Sequence, residues 1–276
     1  MDSIEKIGNS TIHHGKDSDR IYLMTLDSSD LDNITQKLDD LAHKKGYTKI
    51  MVKAPDLHKQ VFEENGYETE AIIPTFYSGN PGRFLCKYLD EQRRENKWKA
   101  TCSEILKIAK EQEPDSSLIQ LPDGFRCREA NSEDVKSMVK LYKSVFESYP
   151  FPIYEEQYIL ETMKENLIYF GIWKENELVA LSSIELAKKY SNAEMTDFAV
   201  RKEYRGSRLA RYLLRVMENK LSELSVKTAY SIARAKSPGM NVTFAKNGYT
   251  YSGTLINNTQ ISGQIESMNV WYKSIF

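Results

Sequence analysis

The segment FAVRKEYRGSRLARYLLR (residues 198–215) combines residue types that bind phosphate groups. A charged turn containing Arg205, Gly206, Ser207 and Arg208 separates an apolar strand-like stretch from residues with helical spacing. A helix N-terminus offers unpaired backbone N–H groups and the positive end of the helix dipole. The glycine lets the backbone approach an anion, the arginines add charge, and Ser207 can cap the helix or donate a hydrogen bond. The pattern predicts a pyrophosphate-binding turn, with a solvated surface turn as the alternative.

Three carboxylates lie on the segments that precede this turn. Glu194 and Asp197 belong to EMTDFAV (194–200), which reads as a strand, and Glu185 lies on the neighbouring strand. A carboxylate beside an amine can remove the proton that prevents nucleophilic attack. Glu194 and Asp197 are an odd number of residues apart, so a regular strand points them to opposite faces unless a β-bulge intervenes. All three are candidate bases; Glu185 could instead hold a cationic substrate, and Glu194 could be an exposed edge carboxylate.

Composition argues against several classes of protein. The chain has 276 residues, 41% hydrophobic and 28% charged, and a net charge of -1, which does not favour a nucleic-acid partner. It has neither an apolar run of about 20 residues nor the apolar core of a signal peptide, so we expect a cytoplasmic protein with no membrane partner. Cys86, Cys102 and Cys127 lack disulfide or zinc spacing and should be packing residues. His13-His14 should be solvated in a polar leader, and no metal is expected.

The elements that must position these groups fall into two parts. Residues 1–90 predict an α/β half-module, with strands over 20–26, 49–54 and 67–73 and an amphipathic helix over 30–46. Residues 90–113 are charged and predict a long helix, so 91–122 should be a helical spacer. Residues 123–276 predict a second α/β domain that contains the phosphate turn. Phe-x-x-Asn-Gly-Tyr occurs at 62–67 and again at 244–249, which favours a duplicated unit.

The segment VRKEYRGSRLARYLL (200–214) resembles the acetyl-CoA-binding motif of the GNAT acetyltransferases. In that family a strand ending in Val leads to a turn R/Q-x-x-G-x-G/A and then to a helix with a Leu pair. Arg205 and Ala210 match the ends of the turn, Leu209 lies at the helix start, and Arg208 departs from the pattern by replacing the middle glycine. The resemblance covers about 123–276. It implies a GNAT fold, which is a mixed, mostly antiparallel central sheet flanked by helices, here with an N-terminal GNAT-like half-module.

The resemblance also implies roles for single residues. Backbone groups of Phe198 and Val200 should contact acetyl-CoA, the co-substrate. Asn241 and Phe244 lie in the segment NVTFAKNGY (241–249), which looks like the second family motif and should also bind it. Many members have at position 244 a tyrosine that protonates the CoA thiolate; Phe244 cannot, so another group or solvent must. Histone acetyltransferases have a glutamate base at the position of Glu194, which makes it the preferred base and Asp197 the rival.

The binding site for the acceptor amine has fewer signals in the sequence. Tyr149 and Tyr154 lie in the aromatic loop YPFPIYEEQY (149–158), where the family often builds its substrate site, and could bind a cationic amine or simply anchor the loop. Asn257-Asn258 and residues 259–267 could also reach the substrate.

Over its whole length the chain resembles the β-lysine N6-acetyltransferases. That resemblance implies acetylation of the distal amine of β-lysine to give an osmolyte made under salt stress, with Arg234 as the candidate carboxylate clamp. Alternatives are another small-molecule or protein amine acceptor (protein lysine, polyamine or aminoglycoside) or a non-catalytic CoA-binding module. A homodimer is left open.

Overall fold

The computed structural model describes residues 2–275, which form two mixed sheets with helices packed on them. The N-terminal sheet has the strand order β1-β2-β3-β4-β6-β5, and β3 and β4 are its parallel pair. Its strands are β1 (Ser3–Ile7), β2 (Ser10–Gly15), β3 (Arg20–Thr25), β4 (Lys49–Pro55), β5 (Glu68–Tyr77) and β6 (Asn80–Tyr88). Helices α1 (Ile34–Lys45) and α2 (Lys59–Glu63) accompany this sheet.

Apolar spacing explains the longer of these helices. Ile34, Leu38 and Ala42 recur every four residues and are fully buried, so α1 presents one apolar face. That face joins a core with Leu23 of β3 and other strand residues. Gly46 ends the helix in the left-handed conformation, at φ 70°, which glycine adopts without a Cβ clash.

The C-terminal sheet has the order β12-β13-β11-β10-β9-β8-β7, with β10 and β11 parallel and the other pairs antiparallel. Its strands are β7 (Phe125–Glu129), β8 (Leu167–Lys174), β9 (Glu177–Ala187), β10 (Asn192–Val200), β11 (Thr228–Arg234), β12 (Thr250–Ile261) and β13 (Gln264–Ser274). The remaining helices are α3 (Lys99–Lys110), α4 (Val135–Val145), α5 (Glu156–Glu165), α6 (Leu209–Glu223) and α7 (Pro238–Lys246). None of the helices in residues 2–275 combines the length and the apolar character of a membrane span.

The two sheets share one connectivity. Strands β1 to β6 follow the same spatial order as β8, β9, β10, β11, β12 and β13, and each half has its one parallel pair around an intervening helix. The repeated Phe-x-x-Asn-Gly-Tyr segments have the same geometry. Phe62 and Tyr67 pack edge to face at 5.4 Å between ring centroids, and Phe244 and Tyr249 do so at 5.1 Å. The N-terminal half is therefore GNAT-like in topology, and the predicted fold class is confirmed.

The two sheets meet along β5 and β12. The hydroxyl of Ser252 donates to the Ile72 carbonyl oxygen at 2.6 Å and accepts from the Ile72 N–H at 2.8 Å. Gly253 lies so close to this strand that a Cβ there would be 1.9 Å from the carbonyl oxygen of Glu70. Next to this seam, aromatic and aliphatic residues of both sheets form one core, which includes Tyr22 and Tyr230.

Two sequence predictions about the N-terminal part are wrong. The predicted polar leader forms the hairpin β1–β2, and His13 and His14 are buried, at 1% and 4% exposure. Residues 90–113 do not form one long helix: α3 begins at Lys99, packs against α7, and buries Cys102, Ile105 and Ala109. Its apolar face binds it to the second sheet, so α3 is not a free spacer.

Candidate active site

Strands β10 and β11 diverge at the centre of the C-terminal sheet. Their parallel pairing ends at Glu194 and Tyr230, although β10 stays paired with β9 as far as Val200 and β11 with β13 as far as Arg234. Beyond Glu194, the edge of β10 that faces β11 has no strand partner, and backbone N–H and C=O groups need hydrogen bonds. The gap therefore suits an extended ligand with amide groups of its own. Phe198 and Val200, whose backbone groups are predicted to contact acetyl-CoA, line the cavity.

A β-bulge brings the two candidate bases to one cavity. The pairing of β10 with β9 shifts register between Thr196 and Ala199, and Asp197 adopts a left-handed conformation with φ 57°. The bulge reverses the alternation of side chains, so Glu194 and Asp197 both line the cavity, together with Glu185. From the sequence alone, both carboxylates could reach one site only if such a β-bulge was present.

Glu194 has the environment of a general base. Burial, and after it the charge of Glu185, raises the pKa of Glu194 to about 8, while Lys53 opposes the rise. Burial also raises the pKa of Glu185. Lys53 comes from β4 of the N-terminal sheet. Burial disfavours its charge, but Tyr22, Glu185 and Glu194 together outweigh burial and raise its pKa. Base strength at Glu194 therefore depends on groups from both sheets.

Asp197 is already engaged by hydroxyl groups. Tyr149 donates to Oδ1 at 2.5 Å and Ser183 donates to Oδ2 at 2.6 Å. Both carboxylate oxygens thus accept hydrogen bonds within the protein, and Asp197 fixes the Tyr149 ring at the cavity wall. Glu194 instead has a hydrogen bond with one hydroxyl group, that of Tyr230. It is therefore the better placed of the two to accept a proton.

The predicted phosphate turn lies between β10 and α6, and its backbone contains two left-handed residues. Helix α6 begins at Leu209, and Gly206 (φ 86°) and Arg208 (φ 60°) both have left-handed backbone conformations. Arg208 thus adopts, at some steric cost, the conformation that a glycine at this position of the motif would adopt freely. Ser207 makes no capping hydrogen bond and does not line the cavity. Arg205, Gly206, Arg208, Leu209 and Ala210 do line it.

The start of α6 and the gap beside β10 offer binding groups for the two ends of acetyl-CoA. The first turn of α6 has no side-chain cap, and the side chains of Arg205 and Arg208 are exposed beside it. An anion can therefore reach both the N–H groups and the arginines. The turn opens into the same cavity as the gap between β10 and β11. A phosphate site and a gap for an amide-bearing arm fit the two ends of acetyl-CoA.

The second motif is only partly at the cavity. Phe244 lines it and packs edge to face on Phe198 at 5.8 Å. Asn241 is fully buried outside the lining: it donates to the carbonyl oxygens of Arg234 and Ser237 and accepts from Asn269 and Trp271. These bonds use its side-chain groups within the protein, so the predicted side-chain contact with the cofactor is not supported.

Three of the four residues predicted to bind the acceptor line the cavity. Tyr149 and Glu185 line the cavity. Tyr154 does not: its hydroxyl donates to the Phe146 carbonyl oxygen and its ring packs in a core, which is the loop-anchor alternative. Arg234 lines the cavity but is paired with the buried carboxylate of Glu266 through two bonds of 2.9 and 2.7 Å. Two of its three nitrogen atoms are therefore engaged by Glu266, which disfavours Arg234 as the clamp for a substrate carboxylate.

Sequence reasoning missed one whole wall of the cavity. The cavity has a volume of about 1090 Å³ and lies between the two sheets. Its N-terminal wall comprises alternate residues of β3 and β4, namely Arg20, Tyr22, Met24, Met51 and Lys53. The period of two in these strands marks them as one face of the sheet. That this face lies opposite the C-terminal sheet, across the cavity, follows only from the fold.

Comparison with known proteins adds to this geometry. The family model described as "Acetyltransferase (GNAT) family" matches residues 135–246. A relative from Methanococcus maripaludis named beta-lysine N(6)-acetyltransferase is 38% identical over 99% of both chains. The chain belongs to the GNAT acetyltransferase family. Members of this GNAT family use acetyl-CoA as the acetyl donor, so the chain is a GNAT N-acetyltransferase with an amine acceptor.

Two further GNAT relatives match most of the chain. A protein from Methanosarcina mazei, also named beta-lysine N(6)-acetyltransferase, is 32% identical over 88% of this chain and 97% of its own. A protein from Bacillus subtilis named N-acetyltransferase YodP is 31% identical over the full length of both. The matches from Methanococcus maripaludis and Bacillus subtilis cover at least 99% of this chain, so the similarity includes the N-terminal half as well as the GNAT motifs.

Proposed function

We propose that this GNAT enzyme acetylates the distal amine of β-lysine with acetyl-CoA, giving Nε-acetyl-β-lysine. The observation that carries the proposal is a cavity between both sheets, with Glu194 and Glu185 in its lining, in a chain whose β-lysine acetyltransferase relative matches 99% of its length. A small molecule fits a cavity of about 1090 Å³. A lysine on a folded protein would have to enter between the sheets, which disfavours a protein acceptor.

Acetyl-CoA would be held by the phosphate turn and the gap beside β10. Arg205, Arg208 and the N–H groups at the start of α6 face its phosphates, and backbone groups near Phe198 face its amide-bearing arm. When bound, it supplies an acetyl thioester, whose C–S bond is replaced by the new C–N bond.

The acceptor amine must lose a proton before it attacks. Glu194, with its raised pKa, is a base close enough in strength to an alkylammonium to take that proton near neutral pH. Glu185 and Glu194 also attract the ammonium form and so bring the distal amine to the base. Phe244 has no hydroxyl to return a proton to the thiolate, so that proton comes from solvent or another group.

The product has a physical property that suits an osmolyte. β-Lysine carries two ammonium groups and one carboxylate, and acetylation removes one positive charge. The resulting zwitterion has no net charge, so it can accumulate without a counter-ion. This agrees with the proposed role in salt stress.

The test is thiol release from acetyl-CoA by the full chain with β-lysine, α-lysine, spermidine and a basic peptide as acceptors. Mass spectrometry then locates the acetyl group. We expect fast release with β-lysine and acetylation of its distal nitrogen. Faster turnover of spermidine or the peptide would overturn the β-lysine assignment, and acetyl-CoA binding without release on any amine would favour a non-catalytic module.

A further inference from the structure

Arg20 is a buried arginine that leaves two of its three nitrogen atoms without a hydrogen-bond partner in the described chain. The residue is 3% exposed, it lines the cavity, and no residue in the described part of the chain accepts a hydrogen bond from its Nε or Nη1. Burial lowers its pKa to about 10, which still leaves the guanidinium charged at neutral pH. A buried charge without a partner is costly, and proteins normally pair it. An anion bound in the cavity would supply the missing acceptor.

The neighbouring charged groups do not fill this role. The charge of Asp2 favours the charged form of Arg20, but the Asp2 oxygens accept their hydrogen bonds from the backbone N–H groups of Asp17 and Ser18. Asp19 is paired with Arg93 at 3.1 Å. Arg20 instead stacks on the ring of Tyr22, with 5.3 Å between its Cζ and the ring centroid. Stacking leaves the edge of a guanidinium, where its N–H donors lie, open to a planar carboxylate.

Arg20 and Lys53 lie at different points along the N-terminal wall. In the pairing of β3 with β4, Arg20 is opposite Lys49, which precedes Lys53 by four residues. Lys53 is the cation next to Glu185 and Glu194. The carboxylates therefore mark the end of the cavity that receives an ammonium group, and Arg20 marks an end that receives an anion.

A second buried polar group without a partner lies near Arg20. Asn258 is 1% exposed and lines the cavity, and its Oδ1 accepts no hydrogen bond within residues 2–275. The strand that carries it is tied to the segment before Arg20: the Gln260 N–H donates to Ser18 Oγ at 3.3 Å. Arg93 adds to this tie by donating to the carbonyl oxygens of Ser18 and Asn257.

We propose that Arg20 binds the carboxylate of an amino-acid acceptor and that Asn258 Oδ1 accepts from its inner ammonium group. This inference rests on the proposed function and deepens it. It assigns the N-terminal sheet the task of selecting a zwitterion, so that the distal amine alone reaches Glu194. It also replaces Arg234, whose Nε and Nη2 donate to Glu266, as the carboxylate clamp.

The test compares β-lysine with 1,4-diaminopentane, which keeps both amines and lacks only the carboxylate. Arg20→Met should lower kcat/KM for β-lysine by about 100-fold, as expected for loss of a charged hydrogen-bonded pair, and leave the diamine unchanged. Asn258→Leu should lower kcat/KM for both acceptors by about tenfold, because both carry the inner amine. Arg94→Met is the matched control: it removes a half-exposed arginine of the same half, outside the cavity, and should change neither value.

Three results would overturn the inference. The first is an equal effect of Arg20→Met on both acceptors. The second is a lower melting temperature of the ligand-free Arg20→Met variant, because removal of an unpaired buried charge should keep or raise it. The third is a wild type that turns over only the carboxylate-free diamines.

The proposed function can also fail by itself, if wild type does not acetylate β-lysine. In that case α-lysine compared with 1,5-diaminopentane tests Arg20 in the same way.

Discussion

Replacement of Glu194 by glutamine gives the sharpest test of the acid–base chemistry. The variant keeps the shape of the side chain and removes its ability to accept the amine proton. Loss of a general base costs about 10²- to 10⁴-fold in rate, so kcat/KM should fall by that amount at pH 8. KM for acetyl-CoA should stay close to wild type, because the phosphate turn is untouched.

The pH dependence of kcat/KM tests the direction in which the pKa of Glu194 is shifted. Burial and Glu185 raise the pKa of Glu194 to about 8, and only the ionised form acts as a base. The kcat/KM of wild type should therefore rise about tenfold per pH unit below pH 8 and level off above it. Glu185→Gln removes the charge that raises this pKa and should move the rising limb to lower pH. Lys53→Met removes the charge that opposes the rise and should move the limb to higher pH, each by about one unit.

The assay is initial-rate thiol release across pH 6–10 at saturating acetyl-CoA. Asp197→Asn is the comparison variant, since Asp197 is held by two hydroxyls and should act by positioning Tyr149. Wild-type activity in Glu194→Gln, or a limb that Glu185→Gln and Lys53→Met leave in place, would refute the reasoning.

Three further predictions concern single positions. Arg208→Gly should be more stable to urea than Arg208→Ala by about 1 kcal/mol, because glycine adopts φ 60° without steric cost, and both should raise KM for acetyl-CoA. Gly253→Ala should lower the free energy of unfolding by about 1–3 kcal/mol, because its Cβ would clash with the Glu70 carbonyl oxygen; Gly239→Ala, where a Cβ meets open space, is the neutral control. Asn241→Ala should lower the melting temperature by leaving buried donors unsatisfied, at about 1–3 kcal/mol each, while the KM for acetyl-CoA of the folded enzyme stays unchanged.

Short-range signals made part of the fold and site predictable. The Arg205–Arg208 turn and the repeated Phe-x-x-Asn-Gly-Tyr segments depend on neighbouring residues, so the sequence alone indicates their geometry. The hairpin at Ile7-Gly8-Asn9-Ser10 had a comparable signal: a two-residue Gly-Asn turn between alternating strands. Its polar composition led instead to the prediction of a solvated leader.

The rest depends on contacts between distant segments. Whether an arginine is paired cannot be read from its neighbours in sequence. Arg234 donates to Glu266, which follows 32 residues later, whereas no carboxylate within residues 2–275 accepts from Nε or Nη1 of Arg20. The bulge at Asp197 could be stated only as a condition, since either register fits the residue types. The segment before α3 likewise makes distant contacts: Asn257 Nδ2 donates to the carbonyl oxygens of Arg93 and Glu95.

The shared connectivity of the two sheets has a consequence for how acceptor choice can diversify. The two halves of similar connectivity would have different tasks: the second contains the proposed phosphate turn and the proposed base, and the first contributes the facing wall, including Lys53. Substitutions in β3 and β4 other than at Lys53 should therefore change which amine is accepted and leave acetyl-CoA binding intact. A library restricted to the other cavity-facing positions of those two strands should yield new acceptor specificities.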